Sequence, residues 1–268
     1  MHPIERLRYV ARASGIDQAV VVRETAAAIA SMGRFDEQAI VTSCRRIIER
    51  HPRSGALWWM CSRVLTASDP SNEAWRCVEE ISDDRTSIEL AYALPDEATV
   101  CVLGWPNLVG EALARRGDLE VLVVDTLGEG NGLVRRLARS QVEAIEVPVS
   151  GLGSAVAVSD VVLLEGAAIG AGGYIGVAGS RAASSVAMYG EIPVWLVGGV
   201  GRVLPERMWD ALIGRLEIDD EPWEADDEIA PIELVSHVVG PDGVEPVDEA
   251  LAKTDIPLAP ELFKRTDH

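Results

Sequence analysis

After Leu94-Pro95 the chain settles into an alternation that leaves few folds open: TVCVL, then LVGEALARRG, then LEVLVVD, then GLVRRLARSQ, then AIEVPV. The pattern continues through DVVLLEG, a helical stretch from about Ser180 to Tyr189, VWLVGG and PERMWDALIGRL. Short β-branched runs that are apolar throughout belong to strands covered on both faces, and the helical runs between them supply the cover. The expected class is therefore α/β, with a Rossmann-like parallel sheet over residues 96–268. Gly117 and Gly190 follow their helices as stops, and Pro205 suits the first turn of the next one.

Before that point the period changes. From Ile4 to about Ala93 apolar residues recur at helical spacing, in runs such as AIVTSCRRIIERH and GALWWMCSRVL, with breaks at MGRFD, HPRSG and SDPSN. This predicts a helical N-terminal domain over residues 1–95 with three to five helices. Asp69-Pro70-Ser71 marks a helix start, because proline fixes φ and the flanking side chains can cap free amides. No repeat of 20–50 residues is visible.

Composition narrows the function. A net charge of −19 speaks against nucleic acid as a direct partner, since a phosphate backbone needs a basic face. Lys253 and Lys264 are the only lysines, a bias that fits salt adaptation or a GC-rich genome equally. Cys44, Cys61, Cys77 and Cys101 have no CxxC spacing, so buried free thiols are expected and no metal site is implied. MHPIERLRYVARASG lacks the apolar core of a signal peptide, and no run is long enough to span a bilayer; a cytoplasmic protein with no membrane partner is expected. EIDDEPWEADDE, Glu217 to Glu228, carries eight carboxylates in twelve residues without calcium-loop spacing and reads as a solvated loop.

In a parallel α/β sheet ligands sit beyond the carboxyl ends of the strands, where helix N-termini point their amides. Four such loops stand out: GWPN (Gly104 to Asn107), DTLGEGNG (Asp125 to Gly132), VSGLGS (Val149 to Ser154), and EGAAIGAGGYIGVAGS (Glu165 to Ser180), which has six glycines in sixteen residues. None fits GxGxxG or Walker A spacing, so no nucleotide cofactor is implied. His2 and His268 are terminal, His51 lies in a helical turn and His237 in the strand-like ELVSHVV; no catalytic triad or zinc motif emerges. The remaining chemistry is anion binding by backbone amides, which a glycine-rich loop running into a helix at Ser180 can supply, with Arg181 adding charge. Close packing of the glycines is the competing use. Trp105 can stack on a base or sugar or simply pack, and Asp125 can bind ribose hydroxyls or cap the next helix.

The order of these loops resembles the translation initiation factor 2B alpha, beta and delta family, which includes methylthioribose-1-phosphate isomerase and ribose-1,5-bisphosphate isomerase. That family has a strand ending in Gly-Ala-Asp, an Asn-Gly loop, Asn-Lys-x-Gly-Thr opening a helix, then Ile-Pro and a strand. Here the slots read DVVLLEGAAIGAGGYIGVAGSRAASSVAMYGEIPVWLVGG. TVCVLGWPNLV resembles the family's first Rossmann strand and loop, and TDIPLAPELF its closing segment.

The resemblance implies an acid/base pair, the Asp of Gly-Ala-Asp and a cysteine in the first loop, whose slots here are Ala168 and Gly104. Neither can move a proton, and such catalysis contributes a factor of about 10² to 10⁴. The Asn-Lys pair is replaced by Gly176-Val177, while Gly179-Ser180 keeps the helix opening; Asp125-Thr126-Leu127-Gly128 keeps an acid and loses an arginine. Cys101 is expected to pack inside its strand. The resemblance thus implies a non-catalytic protein, homodimeric through its second domain. It would bind a small phosphorylated metabolite, a nucleotide or sugar phosphate, at Gly104, Trp105, Asn107, Asp125, Glu165, Gly166, Gly172, Gly173, Gly179, Ser180 and Arg181. The alternatives are a divergent sugar-phosphate isomerase using Asp125, Glu165 or Cys101, and a structural or regulatory subunit without ligand.

Overall fold

The structure, a computed structural model, describes residues 18–31, 37–216 and 221–263. Among the described residues five helices precede the first strand: α1 (Gln18–Ala30), α2 (Glu37–Arg50), α3 (Gly55–Thr66), α4 (Pro70–Ser82) and α5 (Thr86–Ala93). Asp69 caps α4 by accepting the Asn72 N–H, with Pro70 in the first turn. The N-terminal segment MHPIERLRYVARASG, His2, Lys264 and His268 lie outside the described residues.

The alternation that follows is β1 (Thr99–Leu103), α6 (Asn107–Leu113), β2 (Glu120–Asp125), α7 (Gly130–Arg139), β3 (Glu143–Pro148), α8 (Leu152–Ala157) and β4 (Val161–Glu165). A hairpin of β5 (Ala168–Gly170) and β6 (Gly173–Val177) comes next, then α9 (Ser180–Tyr189), β7 (Val194–Val197) and α10 (Glu206–Ile213). The chain closes with β8 (Asp227–Ala230), β9 (His237–Gly240), β10 (Gly243–Pro246) and α11 (Val247–Ala252). Seven strands form one sheet in the order β10-β9-β7-β4-β1-β2-β3. All neighbours in it run parallel except β10, which returns antiparallel to β9.

Strand parity explains the uninterrupted apolar runs. Val100, Val102, Val121 and Val123 turn to the face covered by Leu113, Leu133, Leu137 and Leu90. Cys101, Leu103, Leu122 and Val124 turn to the other, against Leu152, Val156, Ala183 and Ala187. Residues 100–103 of β1, 121–124 of β2 and 161–164 of β4 are buried whichever way they point, whereas the edge strand β3 is exposed along much of its length. β1 lies between β2 and β4, so the order reverses there and a crevice opens at the carboxyl ends of β1 and β4.

A third core joins the helical layer to the rest. Ile29, Ile48, Leu57, Trp58, Met60 and Val64 pack with Met208, Trp209 and Leu212 of α10 and with Ala259 and Leu262 near the C-terminus. The Ala259 N–H donates to Ser62 Oγ at 2.9 Å, and that hydroxyl donates to the Pro257 carbonyl. Arg116 donates to the Ala91 and Leu94 carbonyls at 2.8 Å each, closing the exit of α5 toward β1.

Two sequence expectations need correction. The glycine-rich stretch before Ser180 is not an open loop; β5, β6 and β8 form a second, three-stranded antiparallel sheet. The glycines serve close approach, since a Cβ on Gly170 would lie 2.3 Å from Trp209 Cγ and one on Gly172 3.0 Å from its indole nitrogen. The acidic segment is not wholly a solvated loop either. Residues 217–220 lie outside the described residues, but Asp227 and Glu228 belong to β8, where Asp227 pairs with Arg53 at 2.8 Å. Partial burial raises the Asp227 pKa against the opposing pull of Arg53.

Candidate functional site

The strand ends carry backbone amides placed for anions, and the chain's own carboxylates occupy them. Glu165, the last residue of β4, accepts the Leu108 and Val109 N–H groups at 2.8 and 3.2 Å through Oε2, closing the start of α6. Its Oε1 accepts from Arg202 Nη1 at 2.8 Å, and both side chains of the pair are about nine-tenths buried. The same Arg202 nitrogen donates to the Gly166 carbonyl at 3.2 Å. Asp125 Oδ1 accepts the Gly130 N–H at 2.9 Å, so this acid caps α7. Glu228 Oε1 accepts the Arg181 N–H at 2.9 Å, at the start of α9.

A fourth carboxylate arrives from the helical layer. Asp84 Oδ2 accepts the Val200 N–H at 2.9 Å in the loop after β7, while Oδ1 accepts from Thr86 N–H and hydroxyl at 2.8 and 2.6 Å. Helix N-termini carry partial positive charge and favour anions within the first turn. In this chain that preference is met internally.

The other residues singled out in the sequence are spread over several environments. Gly104 adopts φ +62° and sits beside Thr126 and Val177. Trp105 lies over Gly132, where a Cβ would come within 2.1 Å of its ring, and its outer face is half exposed. Gly179 takes φ +95° to open α9, and Ser180, buried, donates its hydroxyl to the Val177 carbonyl at 2.6 Å. Gly173 pairs with Gly170 at the hairpin turn. Ala168 is fully buried opposite Ile175, and Cys101 is buried in β1 with its thiol pushed up to about 12 by desolvation. The four cysteines are free and buried. Among the described residues no cluster of three metal-binding side chains occurs.

Asn107 is placed differently. It lines a cavity of about 240 Å³ between the helical layer and the strand ends, together with Gln18, Ser82, Asp84, Glu111 and Arg202. Gln18 is itself a link between the layers, donating to the Ala167 carbonyl at 3.1 Å and accepting from Ser54 Oγ at 3.1 Å. Asn107 and Glu111 have no hydrogen bond or ion pair from their side chains among the described residues. Sequence reasoning missed Asp84, Arg202 and Glu228. The GGVGR run after VWLV was a fifth strand-end loop by the rule applied to the other four and would have pointed to Arg202.

The whole architecture has solved counterparts. It superposes on the Pyrococcus horikoshii OT3 translation initiation factor eIF-2B with a TM-score of 0.77 over 93% of this chain and 98% of that one, at 12% identity. Chaetomium thermophilum eIF2B beta gives 0.72 over 93% and 89% at 16% identity, and eIF2B delta from the same organism 0.67 over 89% and 96% at 16%. The fold is that of the initiation factor 2B subunits. No family profile matches the sequence, and no curated protein matches it either. The initiation factor 2B fold is thus found here at 12–16% identity to the solved subunits. Among the described residues no helix is long and apolar enough to cross a membrane.

Proposed function

We propose that this chain is a non-catalytic protein of the initiation factor 2B fold, with a helical domain before about residue 95 and a Rossmann-like domain after it. It binds a small polar metabolite of the sugar or nucleotide kind in the cavity beside Asn107. The observation that carries the reading is that cavity: it lies next to the β1/β4 reversal, is walled by both layers, and contains side chains with unused hydrogen-bonding capacity. The slots for the acid and the cysteine of the related isomerases hold Ala168 and Gly104, and buried Cys101, with its raised pKa, is no ready replacement.

A thermal-shift screen of sugars, polyols, nucleosides and their phosphates tests this, because a ligand that prefers the folded state raises its apparent stability. At least one compound is expected to raise Tm, and Asn107→Phe, which fills the cavity, is expected to abolish the effect. A panel with no shift overturns the reading, as does rapid turnover of ribose 1,5-bisphosphate or methylthioribose 1-phosphate.

A homodimer is part of the same proposal. Val158 follows α8 as its C-cap and Met188 and Tyr189 end α9; these neighbouring helices lead into the parallel strands β4 and β7, so their exposed apolar ends emerge toward the amino ends of those strands. Tyr189 is 93% exposed. With a net charge of −19, two copies approach most easily through such apolar side chains. The C. thermophilum neighbour described as a tetrameric eIF2B-β2δ2 complex shows this fold inside an assembly. Sedimentation is expected to give a dimer that Tyr189→Glu dissociates; a monomer at micromolar concentration overturns this part.

A further inference from the structure

We infer that the cavity beside Asn107 selects an uncharged, pentose-sized polyol and discriminates against its phosphate ester. This rests on the ligand-binding reading above and specifies the class of ligand. Size is the first constraint. A volume of about 240 Å³ equals that of about eight water molecules at ~30 Å³ each, and it falls below the ~300 Å³ at which pockets for drug-sized ligands begin. A five-carbon polyol fits that space better than a nucleotide.

Charge is the second constraint. The charged groups lining the cavity are Asp84, Glu111 and Arg202. Arg202 is neutralised by Glu165 at 2.8 Å, and Asp84 is engaged by Val200 and Thr86. Glu111 carries its negative charge without an ion-pair partner among the described residues. A phosphate entering this space would lose its hydration and meet a surplus of carboxylate, because the charge of Arg202 is already balanced by Glu165 through Nη1.

Backbone amides offer no easy substitute. The N–H groups of Leu108 and Val109 are taken by Glu165 and that of Val200 by Asp84. A phosphate could use them only by displacing a carboxylate from a position in which it is already hydrogen-bonded. Hydroxyl groups face no such obstacle. The Asn107 carboxamide both donates and accepts and the Glu111 carboxylate accepts, which suits a ligand whose every polar group is also a donor and an acceptor.

The test is isothermal titration of the full chain with two matched pairs, D-ribose against D-ribose 5-phosphate and ribitol against ribitol 5-phosphate. The uncharged member of each pair is expected to bind at least about tenfold more tightly, which corresponds to ~1.4 kcal/mol. Glu111→Gln is expected to narrow that ratio severalfold by removing the repelling charge. Equal or tighter binding of the phosphates overturns the inference while the cavity reading stands, provided Asn107→Phe abolishes the binding. A ratio unmoved by Glu111→Gln also overturns it. Failure of all four compounds to bind overturns the inference, and the cavity reading falls with it only if the thermal-shift panel also shows no ligand.

Discussion

Glu165 joins two kinds of stabilisation in one carboxylate, and removing it should separate them. In Glu165→Ala the Arg202 guanidinium stays in a site where its side chain is 9% exposed, without the charge that balances it at 2.8 Å. Breaking one side of a buried pair costs about 3–5 kcal/mol. The Leu108 and Val109 amides lose their acceptor as well, and loss of a helix cap costs about 1 kcal/mol. The sum, about 4–6 kcal/mol, corresponds to a fall in Tm on the order of 10–20 °C for a chain of this size. Glu165→Met combined with Arg202→Met leaves no charge behind and should recover most of the loss, within about 2 kcal/mol of the unmodified protein. Urea unfolding followed by circular dichroism and tryptophan fluorescence gives the three free energies. The reasoning fails if the single substitution costs less than about 1 kcal/mol, or if the double substitution is no more stable than the single one.

Three further outcomes are expected. Gly170→Ala places a methyl group 2.3 Å from Trp209 Cγ and should cost about 1–3 kcal/mol by overpacking, with the Trp209 contribution to near-ultraviolet dichroism altered; an unchanged Tm would contradict the hairpin geometry. Burial and neighbouring Arg50 lower the His51 pKa below 6.5, so the folded state binds that proton less readily than the unfolded one. Stability should therefore be retained above pH 6.5 and decline as pH falls below it, and His51→Gln should flatten this part of the urea-midpoint profile. The four buried cysteines, with the Cys77 and Cys101 thiols pushed up to about 12 and that of Cys61 raised as well, should resist a thiol reagent at neutral pH and react in denaturant. Rapid labelling of the native chain would refute that burial.

Much of the architecture was legible because its cause is local. A run such as LEVLVVD has apolar residues at both parities, and the only economical place for it is a sheet covered twice. Asp125 and Gly130 are five residues apart, so the capping role of that acid was visible as one of two choices. Nothing local announced the hairpin at Ala168–Val177. Glycine weakens strand propensity, and these strands exist because their backbone lies against Trp209 and β8, far along the chain. The same distance hid the other carboxylates: Glu228 reaches Arg181 across 47 positions and Asp84 reaches Val200 across 116. Of the residues the resemblance nominated, Asn107 lines the described cavity, whereas Glu165, Ser180 and the Arg181 amide are engaged in holding the fold.

The clasp between Ser62 and the segment around Ala259 spans 197 positions. During synthesis α1 to α4 leave the ribosome before the sheet does, yet the core they share with Ala259 and Leu262 is incomplete until those residues have emerged. The nascent helical layer must therefore wait with part of its apolar surface uncovered, and its closure carries the entropy of a loop of 197 positions. Loss of the segment around Ala259 would deprive the earlier-made layer of these contacts, so damage there would appear in the protein as failure of helices 197 positions away.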